Sequence, residues 1–474
     1  MFSYNFTRTF LKTSHPMSRL LQKFSVLLFC FGWVLPTMAA DNSANRRVSK
    51  HKLQEAFINY LNGENPVDFS EYRLRLSEIE GMQQRVWNAW CEANRQYQEE
   101  KLLPLMLLSD STQSRWVLPD SLEKNAVMPY YYGRKGSQKP DNGYPLFIYL
   151  HGSGDKHQEW ATGLILAQRF ADAPSAYFVP QIPNTGEYYR WWQKAKQFAW
   201  ERVLRQALVS GEIDPDRIYM FGISEGGYGS QRLASYYADY LAGAGPMAGG
   251  EPLINAPVEN LCNTAFCLRT GDKDFGFFRE TLTRLTDERL DSLQAKHPGN
   301  FTHWVDLIPG RGHAIDYSPT TPWLKQFKRN TFPKKVMWEN FEMDGNKRRG
   351  FYNLQMEAEP TLQDGGRAYI TMEIQGNNVN ITAQEVRYTT IESRQGIPIR
   401  FHRSYTPLQG GKLRIYLNEE LVDLKKEVKI TINGKEQKVC KPQATLGDMV
   451  NSLTTFGDPR RIFPASIVVS LDNK

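Results

Sequence analysis

Hydrophobic residues recur with three different spacings along the chain, and the first spacing is that of a helix. Within residues 41–115, hydrophobic side chains return every three or four positions, which places them on one face of an α-helix. The stripe consists of Ile79, Met82, Val86, Trp90, Ala93 and Tyr97. We expect residues 41–115 to form a helical N-terminal extension whose apolar face packs against the domain that follows.

The second pattern covers residues 116–333, where short apolar runs alternate with longer helical stretches. The apolar runs are Leu146–Leu150, Tyr177–Pro180, Ile218–Phe221 and Ala265–Leu268. The helical candidates between them include Lys194–Val209 and Tyr228–Tyr240. Strands that are apolar on both faces and alternate with helices form a mostly parallel α/β sheet with helices on both faces. Ligands bind to such a sheet at the carboxyl ends of its strands.

The third pattern has a period of two and begins after residue 333. Alternating apolar residues such as Ile370, Met372 and Ile374 indicate strands with one buried face. Asn433-Gly434 then predicts a tight hairpin, because both residue types tolerate the positive φ of a primed turn. Residues 334–474 are therefore predicted to form a separate antiparallel β domain of the sandwich type.

The first forty residues have the organisation of a secretory signal peptide. Basic residues precede the apolar run Phe24–Leu35, and small residues for cleavage follow at 37–40. The run is shorter than the roughly 20 residues that a membrane-spanning helix needs. We expect export to the periplasm or the extracellular space, with no stable membrane insertion after the signal is removed. A lipid anchor on Cys30 is the less favoured alternative, because Leu28 and Phe29 replace the small residues that usually precede a lipidated cysteine.

The length of the chain agrees with several domains, and its charge restricts the class of partner. The chain has 474 residues, too many for one ordinary core, and 41% of them are hydrophobic. Its formal charge of +7 falls to +3 when the four basic residues of the signal are removed. This charge is too small for a polyanion-binding protein, so we expect no nucleic-acid partner.

The cysteines and histidines do not have the spacing of a metal site, and we expect no metal. Cys262 and Cys267 are close enough in sequence to form a disulfide in an exported protein. Buried free thiols are an equal alternative, since the connectivity of cysteines cannot be derived from sequence.

A serine lies between two glycines where a predicted strand ends and a helix begins. Ser224 follows the run Ile218–Phe221, with Gly222 and Gly226 two residues to either side. A hydroxyl is a poor nucleophile at neutral pH, so it must be presented to a base at an exposed turn. A sharp strand-to-helix turn does this and leaves no room for large neighbours. The helix behind the serine adds positive potential where negative charge develops.

A glycine-containing turn follows the apolar run Leu146–Leu150 and could supply backbone amides to the same site. The turn is His151-Gly152-Ser153-Gly154. Together with the amide of Glu225, the amide of Ser153 or Gly154 could form an oxyanion hole. An ordinary strand-to-loop turn also uses glycines, so this motif has less weight than the serine motif.

Two more strand ends carry the groups that would activate the serine. Asp272 and Asp274 lie in the loop after Ala265–Leu268, and one of them could orient and stabilise a charged imidazole. The other would serve as a loop or cap residue. His313 lies in a glycine-flanked loop after the stretch WVDLIP, in a position to act as general base.

The motifs LHGSG, DRIYMFGISEGGYGS, RTGDKD and GRGHAID resemble those of the α/β-hydrolase fold. Within that fold they are similar to secreted esterases related to polyhydroxybutyrate depolymerases, feruloyl and acetylxylan esterases, and prolyl-oligopeptidase-like predicted peptidases. The resemblance covers roughly residues 116–333. It implies Ser224 as nucleophile, His313 as base, Asp274 as acid in a G-x-x-D arrangement with Asp272 as the alternative, and no cofactor. Glu225 departs from the small or apolar residue that often follows the nucleophile.

The segment NTGEYYRWWQ follows the predicted strand Tyr177–Pro180 and so lies near the active edge of the sheet. Its Tyr189, Trp191 and Trp192 could stack on a sugar or phenolic ring, with Arg190 beside an acidic group, although large aromatics are equally often packing material. We expect a secreted serine hydrolase that cleaves carboxylic esters through an acyl-enzyme, on a small-molecule or glycan-linked substrate of the feruloyl or acetyl type. The alternatives are a prolyl-oligopeptidase-like serine peptidase and a catalytically decayed glycan-binding protein.

Overall fold

A computed structural model describes residues 48–64, 67–184 and 190–472. The predicted signal peptide, residues 1–40, and the candidate ligand Tyr189 lie outside these ranges. The described residues belong to one compact unit. Within them, none of the helices has both the length and the apolar character needed to cross a bilayer.

Helices and strands alternate in the first two thirds of the described chain, and strands dominate the last third. The helices are α1 (Lys50–Leu61), α2 (Ile79–Gln96), α3 (Lys156–Arg169), α4 (Lys194–Ser210), α5 (Glu225–Tyr236), α6 (Arg279–Lys296), α7 (Thr320–Leu324) and α8 (Leu446–Phe456). The first eight strands are β1 (Gln113–Val117), β2 (Val127–Lys135), β3 (Tyr144–Leu150), β4 (Ser175–Pro180), β5 (Ile213–Ile223), β6 (Gly243–Met247), β7 (Ala265–Gly271) and β8 (His303–Ile308). The later strands are β9 (Lys335–Asn340), β10 (Gly350–Phe351), β11 (Leu354–Ala358), β12 (Arg367–Gln375), β13 (Asn378–Arg394), β14 (Ile397–Pro407), β15 (Lys412–Leu417), β16 (Val428–Ile432), β17 (Lys435–Cys440) and β18 (Ala465–Ser470).

The first eight strands form one sheet in the order β1-β2-β4-β3-β5-β6-β7-β8. Strands β3 to β8 are parallel to one another, whereas β2 is antiparallel to both β1 and β4. The predicted class, a mostly parallel α/β sheet, is therefore confirmed. All four apolar runs expected to be strands lie within β3, β4, β5 and β7.

Successive residues of β3 pack on opposite faces of this sheet. Ile148 belongs to the core that contains Ala199 of α4, whereas Phe147 and Tyr149 belong to the core that contains Leu164 of α3. Both faces of the strand are buried because helices cover both sides, which explains the uninterrupted apolar sequence. The expectation of helices on both faces is confirmed.

The last ten strands form two further sheets. One has four strands in the order β10-β11-β15-β18, and the other has six, in the order β17-β16-β13-β12-β9 with β14 paired to β13. The pairs are antiparallel, as expected, except that β13 and β16 are parallel. The predicted turn between β16 and β17 is confirmed, with φ of 49° at Asn433 and 80° at Gly434. The division of the chain at 115/116 and 333/334 stays a prediction.

The N-terminal helices pack against a helix from the far end of the chain. The predicted stripe is confirmed as a packing face, because Val86, Trp90 and Ala93 of α2 are buried. Their shared core includes Met449 and Leu453 of α8, a helix that the period-two pattern of this region did not predict. The two ends of the described chain thus form one hydrophobic cluster.

Candidate active site

Ser224 is the single residue between strand β5 and helix α5. Its φ is 56° and its ψ is −115°, a backbone conformation that residues other than glycine rarely adopt. Two backbone hydrogen bonds hold it: Ser224 N donates to Met247 O over 2.9 Å, and Tyr228 N donates to Ser224 O over 3.0 Å. The strained turn therefore presents the serine side chain at the carboxyl end of β5.

The two flanking glycines are required by close backbone packing. A Cβ atom on Gly222 would lie 2.4 Å from the carbonyl oxygen of Gly226. A Cβ atom on Gly226 would lie 1.9 Å from the carbonyl oxygen of Leu150. Strand β3, the turn and helix α5 approach too closely for any side chain, which is the steric reason expected from the sequence.

His313 and Asp274 complete a chain of hydrogen bonds that begins at Ser224. Ser224 Oγ lies 2.9 Å from His313 Nε2, and His313 Nδ1 lies 2.7 Å from Asp274 Oδ2. Asp274 follows the end of β7 by three residues, and His313 follows the end of β8 by five. The carboxyl ends of parallel strands of one sheet thus bring the three side chains together, in the geometry that a nucleophile, its base and a group that orients the base require.

The second candidate acid, Asp272, has a different partner. Its Oδ1 accepts a hydrogen bond from the backbone N–H of Gly310 over 2.8 Å. Gly310 lies in the loop that carries His313, so Asp272 ties the loop after β7 to the loop after β8. Asp274 therefore contacts the imidazole, whereas Asp272 connects the two loops.

Asp274 also pairs with an arginine that the sequence did not single out. Arg279 Nη1 lies 2.7 Å from Asp274 Oδ1, and both side chains are buried. Burial raises the pKa of Asp274, but the hydrogen bond from His313 and the charge of Arg279 outweigh burial, so the pKa lies below its ordinary value. The carboxylate is held ionised with both oxygens occupied. His313, by contrast, is 46% exposed, so the site is open to solvent.

The turn after β3 lies directly beside the serine. A Cβ atom on Gly152 would be 3.3 Å from the Cβ of Ser224. Glu159 lies behind the turn, where its carboxylate accepts a hydrogen bond from Gly152 and would touch any Cβ on Gly154. Burial raises the pKa of Glu159, and the hydrogen bond from Gly152 opposes that rise. The predicted oxyanion residues Ser153, Gly154 and Glu225 all belong to the two turns that meet at Ser224.

His151, the first residue of that turn, has a structural position. It is fully buried, its Nε2 accepts a hydrogen bond from Ile182 N over 3.1 Å, and its Nδ1 lies 2.8 Å from Gly152 O. The proton must therefore be on Nδ1, because Nε2 is already an acceptor. Burial lowers the pKa of His151 to about 4, so the ring is neutral at physiological pH. It joins the turn after β3 to the segment after β4.

The aromatic segment after β4 divides into packing residues and lining residues. Trp191 is fully buried, and its Nε1 donates to His151 O over 3.1 Å, so it supports the turn and has no exposed face for a substrate. Trp192 and Arg190 line a cavity of about 350 Å³ that also reaches Glu225 and Tyr228 of α5. The amide of Arg190 donates to Glu225 Oε1 over 3.0 Å.

Two other predicted features concern metals and thiols. Asp287, Asp291 and His303 have ligand atoms within 4.8 Å of one another, but they lie on α6 and at the amino end of β8, at the edge of the sheet opposite to Ser224. Exposed acidic groups of this kind need no metal. Cys262 and Cys267 are buried free thiols, and burial raises the pKa of each to about 12.

The strand order and the strained serine turn are those of the α/β-hydrolase fold that the sequence motifs predicted. No family model matches the chain. A curated protein described as "Putative esterase NocK", from Nocardia uniformis subsp. tsuyamanensis, is 30% identical over 131 residues. The match covers 26% of this chain and 38% of that protein, so the chain spans less than half of the relative's length.

Solved structures with similar folds include a thermostable esterase, with a TM-score of 0.36, 19% identity and coverage of 46% of this chain and 64% of that one. The LpqC poly(3-hydroxybutyrate) depolymerase of Bordetella parapertussis has a TM-score of 0.33, 16% identity and coverage of 45% and 86%. A ferulic acid esterase has a TM-score of 0.31, 15% identity and coverage of 45% and 97%. The fold assignment follows from the strand order and the serine turn rather than from these similarities.

Proposed function

We propose that the protein is a serine hydrolase that cleaves carboxylic esters through an acyl-enzyme. Ser224 acts as the nucleophile, His313 as the general base and then acid, and Asp274 as the group that orients the imidazole. The observation that carries this proposal is the unbroken set of contacts from Ser224 Oγ to His313 Nε2 at 2.9 Å and from His313 Nδ1 to Asp274 Oδ2 at 2.7 Å.

In the first half of the reaction, Ser224 Oγ attacks the carbonyl carbon of the ester while His313 Nε2 accepts the serine proton. The carbonyl oxygen becomes an oxyanion, which the amide of Glu225 and an amide of Ser153 or Gly154 stabilise. His313 then donates its proton to the leaving alcohol, and the carbon–oxygen bond to that alcohol breaks. The product of this half is an ester of Ser224.

In the second half, a water molecule attacks the acyl carbon while His313 accepts one of its protons. The bond between the acyl carbon and Ser224 Oγ breaks, and the proton returns to Ser224 as the carboxylic acid leaves. The ionised Asp274 stabilises the imidazolium in both halves. These steps need no cofactor.

For the substrate, we propose an ester attached to a glycan, of the feruloyl or acetyl type, acted on in the periplasm or outside the cell. The signal-like residues 1–40 support export. The 46% exposure of His313 supports a substrate that is part of a larger molecule, because an open site admits a chain without a lid movement. The 131-residue segment that is 30% identical to a protein described as a putative esterase supports an ester substrate.

Fluorophosphonate labelling with peptide mapping, followed by a panel of ester and peptide substrates, tests the proposal. We expect the label on Ser224, hydrolysis of esters and loss of both in Ser224→Ala. Ser111→Ala, which changes an exposed serine outside the site, is the matched control and should keep full activity. A label on another serine would refute the site assignment. Cleavage of peptides but not esters would favour the peptidase alternative, and no labelling with retention on polysaccharide would favour the binding protein.

A further inference from the structure

A long hairpin of the six-stranded sheet extends beyond that sheet. Strand β13 pairs with β12 only as far as Val386, but its pairing with β14 continues to Arg394 and Ile397. Residues 387–404, which we call the arm, are therefore a two-stranded ribbon. Its turn has φ of 48° at Gln395 and 78° at Gly396, the pair of positive values that a two-residue primed turn requires.

The arm is fixed to the rest of the protein from its base to its tip. A two-stranded hairpin is marginally stable alone in water, so its position depends on such contacts. At the base, Arg403 forms an ion pair with the buried Glu259, and Tyr388 donates to Glu339 Oε2 over 2.8 Å. At the tip, the guanidinium of Arg394 lies 5.8 Å from the ring centre of Phe278. The tip thus reaches the loop that follows Asp274.

That loop carries aromatic side chains in a strained backbone. Phe277 and Phe278 have φ of 53° and 58°, values that non-glycine residues adopt at a cost of about 1–3 kcal/mol each when their surroundings enforce them. Phe277 is nevertheless 48% exposed, although such a large apolar side chain is usually buried. Arg279, which binds Asp274, also lies 5.3 Å from the Phe277 ring centre. The loop that holds the acid therefore also holds an exposed ring beside the site.

The arm tip and this loop both contribute residues to the lining of the cavity of about 350 Å³ next to the serine turn. Ile397 and Pro398 of the arm and Phe277 of the loop line it together with Glu225 and Tyr228, which belong to the first turn of α5 after Ser224. A cavity of this volume is within the range of small-molecule sites and much larger than an acetyl group needs.

Trp192 and Arg232 also line the cavity, and the guanidinium of Arg232 lies over the Trp192 ring. The guanidinium carbon of Arg232 lies 3.8 Å from the ring centre of Trp192, and Arg232 Nε donates to Glu251 Oε1 over 2.6 Å. The other oxygen of Glu251 accepts from Asn255 over 2.9 Å. Because Arg232 and Glu251 are paired with each other, this part of the lining favours a group with flat apolar faces. Glu225 also lines the cavity, and its carboxyl group, which accepts from the amide of Arg190 through Oε1, can bind hydroxyls at the edge of such a group.

We propose that the arm tip, Phe277 and the Trp192–Arg232 pair form a subsite for a hydroxylated six-membered ring of the ester substrate. This proposal rests on the proposed function, because the ring must belong to an ester that reaches Ser224. A phenolic acyl group and a pyranose share this chemistry, and the experiment separates them. The strands of the six-stranded sheet then contribute directly to substrate selection through Ile397 and Pro398.

The test compares Ile397→Asp with Ile391→Asp, a matched control whose side chain is 67% exposed on the same arm. Three substrates are used: ethyl acetate without a ring, methyl ferulate with a ring on the acyl side, and an acetylated xylo-oligosaccharide with a ring on the alcohol side. We expect Ile397→Asp to lower kcat/KM about tenfold for one of the two ring-bearing esters and less than twofold for ethyl acetate. We expect Ile391→Asp to change none of them. The affected ester identifies the ring.

An equal loss on all three esters would show that Ile397 only supports the fold, and unchanged values for both ring-bearing esters would overturn the subsite. Ile397→Ala repeats the comparison if the aspartate variant does not fold. Failure of the proposed function is seen separately, as absence of esterase activity and of Ser224 labelling in the unaltered protein. In that case, saturation-transfer NMR still tests the subsite, because it measures binding of ferulic acid or xylose without a reaction. We expect weaker binding to Ser224→Ala/Ile397→Ala than to Ser224→Ala, and equal binding to the two variants would refute the subsite.

Discussion

Arg279 binds the carboxylate of Asp274 on the oxygen that His313 leaves free, with 2.7 Å between Arg279 Nη1 and Asp274 Oδ1. The acid of the proposed site is therefore clamped from two sides. Its rotation about the Cβ–Cγ bond would break both contacts. Arg279 is a positioning residue, since it acts on the serine only through Asp274 and His313.

For Arg279→Ala, we expect kcat to fall roughly tenfold while KM for ethyl acetate stays unchanged, because the carboxylate loses the contact that fixes its orientation. The free energy of unfolding should fall by about 1–3 kcal/mol, since a buried carboxylate oxygen loses its partner. Steady-state kinetics and urea unfolding measure the two effects. Arg279→Lys should restore part of kcat, and a loss confined to stability would contradict the positioning role.

The two aspartates of the loop after β7 should differ strongly in their effect on catalysis. Asp274→Asn should lower kcat about 10⁴-fold, because the amide no longer fixes the imidazole tautomer or stabilises its charge. Asp272→Asn is the matched control, since it keeps an oxygen that can accept from Gly310 N, and its kcat should fall less than tenfold. The rate of ester hydrolysis at saturating substrate gives kcat for both variants. Comparable losses of kcat in both variants would contradict the assignment of Asp274 as the acid and of Asp272 as a residue that only connects the two loops.

Two helical glycines should respond oppositely to alanine. Gly226→Ala should destabilise the protein by about 1–3 kcal/mol or more, since its Cβ would lie 1.9 Å from the Leu150 carbonyl oxygen. A Cβ on Gly81, in α2, would meet no atom within 4 Å apart from its chain neighbours and its own helix backbone, so Gly81→Ala should stabilise by up to about 1 kcal/mol through helix propensity. Thermal and urea unfolding give both values. If Gly226→Ala were as stable as the parent, the close approach of β3 and α5 would be disproved.

The buried carboxylate of Asp458 should make stability depend on acid pH. Burial raises its pKa, but Arg329 and Arg461, at 2.6 Å and 2.8 Å, lower it to about 2. Since the pKa is lower in the folded than in the unfolded chain, this stabilisation is complete above about pH 4 and is lost as the pH falls toward 2. The shift corresponds to roughly 2 kcal/mol.

Asp458→Asn should therefore destabilise at pH 7, by about 3–5 kcal/mol, because Arg329 and Arg461 keep buried charges without this partner. The difference between the variant and the unaltered protein should shrink below pH 4, because there Asp458 binds protons more readily in the unfolded chain than in the folded protein. Urea unfolding at pH 7 and pH 3 measures it. A difference that stays constant between these pH values would show that folding does not lower the pKa of Asp458.

The site was more predictable than its surroundings because its parts are local. Ser224, Asp274 and His313 each follow an apolar run closely, and parallel strands place their carboxyl ends on one edge. Arg279 was missed because it follows a segment with a left-handed backbone at Phe277 and Phe278, a local conformation that the sequence pattern does not predict. For Trp191, substrate contact and packing stayed equal alternatives, because burial of an aromatic side chain cannot be derived from its neighbours in sequence.

The fold shows the same limit. Strand β6, with the sequence GAGPM, has none of the β-branched or aromatic residues that identify strands. Its small residues are required by α7, since a Cβ on Gly245 would lie 2.5 Å from Thr320 Cγ2. The reach of the arm to the serine turn depends on contacts such as Arg403 with Glu259, 144 residues apart in sequence. Periodicity identifies strands, but it contains no information about such distant pairs.

The packing of α8 on α2 has a consequence for biosynthesis. About 350 residues separate the end of α2 from the start of α8, so the ribosome produces the first helices long before their apolar face can be covered. Contacts between such distant segments form slowly, and uncovered apolar surface promotes aggregation in the meantime. A nascent chain of this protein should therefore depend on chaperones until α8 has been synthesised.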